Sequence, residues 1–227
     1  MRSLRLISLP LIVLGSALVL VTGCTAQSSA PSTTGSGSAP TDQVVVRPVS
    51  QAGLPAAGFT VTDDSAVTVD CGTTPTNARP SLVAVDDNIL SCSPSSVYAV
   101  ACWKDASPGS VLCFRDPWKV DLARMTSKGD LPTVPAPPAA QPLGLLLADG
   151  ERCLMRSGGV WNNLAQYPGW YGTYSCTGGD AVWAGSADGI DRSSPRWSVQ
   201  VAPLSGTGPL HTRDVVKAYV VGTAPSN

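Results

Sequence analysis

The sequence predicts a mostly-β protein, an antiparallel sandwich or barrel-like domain braced by three disulfides and carrying at most one short helix. From Gln43 onward, apolar residues fall in short β-branched runs that alternate with polar ones, the period of a half-buried strand. Strand-like runs flank Asp149-Gly150 and Gly178-Gly179, dipeptides that favour tight hairpin turns. The cysteines show neither a Cys-x-x-Cys pair nor a Cys/His cluster, which suits disulfides in an exported protein better than a metal site.

In chain order, Val44 to Val46, Phe59 to Val61 and Ala66 to Cys71 read as strands separated by Pro, Gly and Asp63-Asp64 turn clusters. Ser93-Pro94 ahead of Ser95 to Cys102 is the one helix start, with Ser93 as cap and Pro94 at the first helical position. Ser110 to Phe114 and Trp118 to Arg124 return to strand patterning around an Asp116-Pro117 turn. Gly129 to Pro142 is proline-rich and lacks aromatic residues, so it reads as a long exposed connection of polyproline character. It marks where the domain could divide. The flanking halves would each make a thin core, which favours one domain over residues 43–227. Beyond it, Leu143 to Ala148 and Glu151 to Arg156 form one hairpin, Tyr171 to Thr177 and Asp180 to Gly185 a second, and Trp197 to Leu204 and Val215 to Val221 two further strands.

The N-terminal segment is of another kind. Arg2 and Arg5 precede an apolar run, Leu6 to Val21, that ends in Val21-Thr22-Gly23-Cys24. This layout resembles a bacterial lipoprotein signal. The resemblance implies removal of residues 1–23, a diacylglyceryl group on Cys24, and residence on the outer face of the cytoplasmic membrane. The alternatives are a transmembrane anchor, which Pro10, Gly15 and the short span disfavour, and a plain signal peptide cut after Ala26. Thr25 to Asp42 has no large apolar side chain and reads as a disordered tether reaching roughly 20 to 25 Å on average.

With Cys24 assigned to lipid, Cys71, Cys92, Cys102, Cys113, Cys153 and Cys176 remain. Pairing each with its sequence neighbour closes short loops and is favoured among the fifteen arrangements available. Each bridge would contribute about 3 kcal/mol on the chain-entropy estimate. Removing residues 1–23 takes two arginines, so 15 basic residues become 13 against 16 acidic ones. With no basic cluster, nucleic acid is excluded as a partner.

The segment Trp161 to Tyr174 interleaves five aromatics with amides and turn residues. Trp161, Asn163, Tyr167, Trp170 and Tyr171 can offer flat apolar faces beside hydrogen-bonding groups, a chemistry suited to a sugar ring, a peptide or a protein partner. The alternative is that these rings turn inward and cap the sheet. His211 is the single histidine, and without a Gly-x-Ser-x-Gly elbow to aim a serine it reads as a solvated loop residue. Glu151, beside the Asp149-Gly150 turn, reads as solvent-facing, and Arg115 to Trp118 could support a polar surface patch, although an Arg115–Asp116 contact bracing the turn is the more ordinary reading. Asp188 and Asp191 offer too few oxygens for calcium, and neither a metal nor a cofactor is expected.

Cys102-Trp103, Val111 to Trp118, Arg152-Cys153 and Tyr174-Ser175-Cys176 together resemble a group of small exported actinobacterial envelope proteins. The resemblance implies no catalytic residue. The function expected is therefore a lipid-anchored cell-envelope protein with a non-catalytic β domain that binds an envelope glycan or protein. A cell-wall-directed hydrolase is the alternative, and it requires two neighbouring Asp side chains in a cleft, one with a raised pKa. A carrier of hydrophobic ligands would require an enclosed apolar cavity.

Overall fold

The computed structural model describes residues 39–74, 77–158 and 164–225; Cys24 and most of the tether lie outside them. Among the described residues, twelve strands run in chain order: β1 (Asp42–Ser50), β2 (Thr60–Val69), β3 (Ala101–Lys104), β4 (Ser110–Phe114), β5 (Asp121–Ser127) and β6 (Gly144–Leu147). The second half supplies β7 (Arg152–Met155), β8 (Tyr171–Cys176), β9 (Asp180–Ala184), β10 (Ile190–Asp191), β11 (Ser198–Pro203) and β12 (His211–Ala224). From Ser38 onward the chain forms one compact unit.

Strands β12, β6, β7, β8, β9 and β11 pair in that order, and β11 returns to β12, closing a six-stranded antiparallel barrel. All six strands send buried residues to one cluster, including Leu145, Cys153, Tyr174, Val182, Val201 and Val215. A barrel this narrow is filled by its own side chains, so its interior offers no chamber for a hydrophobic cargo. Both predicted hairpins are present. Gly150 takes φ +88° while the Asp149 carboxylate accepts the Glu151 N–H at 3.1 Å, and Gly179 takes φ +92° in the second turn.

The second sheet runs β2-β5-β4-β3, with β2 parallel to β5. Alternation places Leu112 and Phe114 of β4 and Trp103 of β3 in one buried cluster, together with Val49, Leu143 and Val221. Val111 and Cys113 of β4 and Cys102 of β3 enter another cluster. Because both faces are covered, β4 is apolar without a break from Val111 to Phe114. The disulfides are the neighbour pairs Cys71–Cys92, Cys102–Cys113 and Cys153–Cys176. In the last two, the cysteines stand directly opposite in strand register.

Four expectations change. Asp63-Asp64 is not a turn: β2 runs through it, because parallel pairing to β5 carries the strand, with a register shift between Asp63 and Thr68. The helix expected over Ser95 to Cys102 is a single 3₁₀ turn, Ser95–Val97, and the Ser93 hydroxyl bonds the Asp70 carbonyl instead of capping it. Cys102 must lie opposite Cys113, which commits β3 to extended chain. The stretch after Gly129 has no strand, yet it is tied down: Val134 is buried and exchanges bonds with Asn88, and the Ala136 N–H donates to Asp87. At the tether's end, Thr41 is already held, its N–H donating to the Pro195 carbonyl at 2.9 Å and its hydroxyl to that of Val215 at 2.7 Å.

Tyr98, just after the 3₁₀ turn, donates its hydroxyl to the Met155 carbonyl and so links the turn to β7. Burial, reinforced by the nearby Asp116 charge, pushes its pKa up to about 12. A phenol whose folded pKa lies above its unfolded value of 10 favours the neutral form in the fold. Its contribution is complete below pH 10 and is lost as pH rises toward 12. Buried Tyr174, also shifted upward, acts in the same direction. Urea unfolding at pH 8 and pH 11 should show lower stability at pH 11 and a smaller drop in Tyr98→Phe. At pH 8 that variant should lose about 1 kcal/mol for the missing hydrogen bond.

Candidate functional site

Of the predicted aromatic segment, Trp161 and Asn163 lie outside the described residues. Leu164, fully buried among Ala181, Trp183 and Ala202, anchors the adjoining turn to β9 and β11. That tight turn places the Tyr167 ring 5.0 Å from that of Trp170, their planes tilted by 34°. Trp170 is half-buried, with its indole nitrogen edge over Gly185, where a Cβ would come within 2.9 Å. Tyr167 stays 43% exposed and Tyr171 39% exposed. The segment is therefore neither wholly inward nor wholly free: Tyr167 and Trp170 form an aromatic ledge with a buried root. Tyr171 stands on β8 beside a groove of about 240 Å³ shared with Leu82, Gln141 and Thr173.

A cleft of about 730 Å³ opens where β1 and β12 end, against β3 and the loop at Asp86. Arg47 meets Asp86 at 2.5 Å and the Thr223 carbonyl at 2.6 Å, while the Thr223 N–H donates to Asp86 at 2.8 Å. Trp103, in turn, donates its indole N–H to the Thr223 hydroxyl at 3.0 Å. Asp86 and Asp87 are adjacent in this cleft, as the hydrolase alternative requires. Asp86 accepts two structural donors and Asp87 the Ala136 N–H, however, so both are engaged in holding the fold. Elsewhere Asp63, Asp70 and Asp191 are held below the usual carboxylate range, by the hydroxyl and N–H of Ser65, the Gly72 N–H, and the N–H and hydroxyl of Ser193. That is the opposite of the raised acid such a reaction needs.

The remaining candidates resolve as structural groups. His211 opens β12 as an exposed strand residue opposite Val201, not in a loop, because β12 begins earlier than its apolar core suggests. Glu151 is not simply solvated: its carboxylate accepts the Gly178 N–H at 2.6 Å and ties the two hairpins together. Glu151, Cys153 and Cys176 cluster closely enough to suggest a metal site, but the sulfurs are bonded to each other and cannot act as thiolate ligands. Asp188, 6% exposed, is held by both ends of the Arg192 guanidinium, which stands where a cation would. Arg115 pairs with Asp64 of β2 at 2.5 Å, not with Asp116, whose carboxylate instead takes the Trp118 N–H at 2.9 Å.

One surface is legible in the sequence only as the polar patch that Arg115 to Trp118 could support. Trp118 lies on the outer wall of the barrel over Gly144, where a Cβ would stand 2.7 Å from both the indole and Pro117. Its ring meets Tyr219 edge-on at 5.5 Å, and the Arg152 guanidinium lies 5.7 Å from its centre. A glycine opening a leucine-rich strand was the available signal, since glycine inside a strand often marks a close approach. Gly144→Ala should lift Trp118 off the wall and cost about 1 to 3 kcal/mol, read as a lower urea midpoint with an unchanged slope.

Compared with known proteins, the chain matches no family model, no curated protein and no solved structure.

Proposed function

We propose that this chain is a lipid-anchored cell-envelope protein whose β domain binds an envelope glycan or a protein partner without catalysing a reaction. One observation carries the reading: the six cysteines of the domain close on one another in three neighbour pairs, which leaves Cys24 outside the set. Such pairing suits an oxidising compartment, and the residue left over is the one that the lipoprotein-like signal would modify. The Tyr167–Trp170 ledge, rooted but open, supplies a surface of the kind that recognises sugar rings and protein partners.

Labelled palmitate fed to the producing cells should enter the mature protein and be lost in Cys24→Ala. A mature protein recovered from the cytosol with free thiols would sink the envelope role. For binding, Tyr167→Ala with Trp170→Ala should abolish retention on immobilised wall glycan or capture of a cross-linked envelope protein, while leaving thermal unfolding within a few degrees. Retention and capture both unchanged in the double variant would dismiss the ledge.

A further inference from the structure

We infer that the outer barrel wall beside Trp118 is a second binding site, one for an oxyanion carried on an apolar ring. A depression of about 440 Å³ lies there, within the range of small-molecule pockets. Trp118 and Leu154 supply its apolar surface. Around them stand Arg152 on β7, Ser175 and Thr177 at the end of β8, and Lys119 from the turn before β5.

Donors outnumber acceptors in this depression. Arg152 forms no ion pair among the described residues, and its guanidinium is left against the indole ring. Lys119 is two-thirds exposed and only loosely paired, 3.8 Å from Asp116. Asp116, the one carboxylate present, already accepts the Trp118 N–H of the backbone. The Trp118 indole N–H is buried without an acceptor among the described residues, an unusual state for a buried polar group. A guanidinium fork matches the oxygens of a carboxylate or a phosphate, and a ligand oxygen entering the depression would supply the acceptor that Arg152 lacks. The apolar share of the lining calls for a ring beside the charge.

The wall is also built to be rigid. Leu154 and Ser175 face each other in register one step from Cys153 and Cys176, whose disulfide clamps β7 to β8. Gly144 lets the indole lie flush against the sheet. Binding to a surface already in place loses little to ordering.

The test uses the full chain in non-ionic detergent with ¹⁵N-labelled tryptophan, the Trp118 indole resonance being assigned by its absence in Trp118→Phe. Benzoate and phenyl phosphate are titrated as probes, with benzyl alcohol and inorganic phosphate beside them. A saturable shift of the Trp118 resonance is expected with at least one ring-bearing anion. Benzyl alcohol and inorganic phosphate should bind at least about tenfold more weakly, and Arg152→Gln should weaken the anion by about tenfold or more without moving the unfolding temperature. The tighter of the two anions identifies carboxylate or phosphate as the group taken. The inference is overturned if neither anion saturates at millimolar concentration, if benzyl alcohol binds equally well, or if Arg152→Gln leaves binding unchanged. None of these outcomes depends on the ledge at Tyr167.

Discussion

Full reduction of the three disulfides is expected to unfold this domain at room temperature. Each bridge closes a loop of 11 to 23 residues in sequence separation, worth about 3 kcal/mol of denatured-state entropy. Three such contributions approach the whole stability of an ordinary domain, about 5 to 15 kcal/mol. Removing only the barrel's bridge, with Cys153→Ala and Cys176→Ala together, should cost about 3 kcal/mol and lower the melting temperature by about 6 to 12 °C. Circular dichroism melts with and without dithiothreitol measure both effects. A reduced protein melting within a few degrees of the oxidised one would show that the packed clusters carry the fold unaided. It would also weaken the disulfide argument behind the proposed export.

Tyr174→Ala should be the most damaging single substitution in the barrel, at about 4 kcal/mol. Tyr174 is fully buried among side chains from all six barrel strands, and its hydroxyl donates to the Pro142 carbonyl at 2.8 Å. Truncation empties the middle of the barrel and strands that carbonyl. Tyr174→Phe keeps the ring and should cost about 1 to 2 kcal/mol, the share of the hydrogen bond alone. The difference between the two variants, read from urea midpoints with an unchanged slope, isolates the ring's packing. A loss below about 1 kcal/mol for Tyr174→Ala would mean that the interior is not filled as described.

Local chemistry made part of this fold legible. Asp149-Gly150 and Gly178-Gly179 announce their hairpins because a two-residue turn needs those residues and nothing distant. The disulfides track sequence proximity because two of them join strands adjacent in the sheet, β3 to β4 and β7 to β8. What was hidden depends on partners far along the chain. Asp63-Asp64 resembles a turn until β5 is laid beside it, and Asp64 then meets Arg115, an ion pair that chooses a distant partner over the neighbouring Asp116. Ser95 to Cys102 has helical options that yield once Cys102 must face Cys113. For the candidate sites, aromatic density alone singles out Tyr167, Trp170 and Tyr171. Of the Trp118 wall, only the polar patch over Arg115 to Trp118 was legible, since the rest requires knowing that Gly144 and Leu154 are cross-strand neighbours.

Strand β12 is the seam of the described fold. β12 borders β11 along its first half and β1 along its second, β6 pairs across its middle, and its residue Val221 exchanges hydrogen bonds with Val83 and Val85. A ribosome delivers that seam after every strand it pairs with, so the strand near Asp42 waits for Lys217 before it has a neighbour. A premature stop before His211 would leave β6 and β11 each with bare backbone along one side, and β1 with no partner strand. Unpaired edges of that kind are templates for association between copies, so such a product should accumulate as aggregate instead of as a smaller soluble protein.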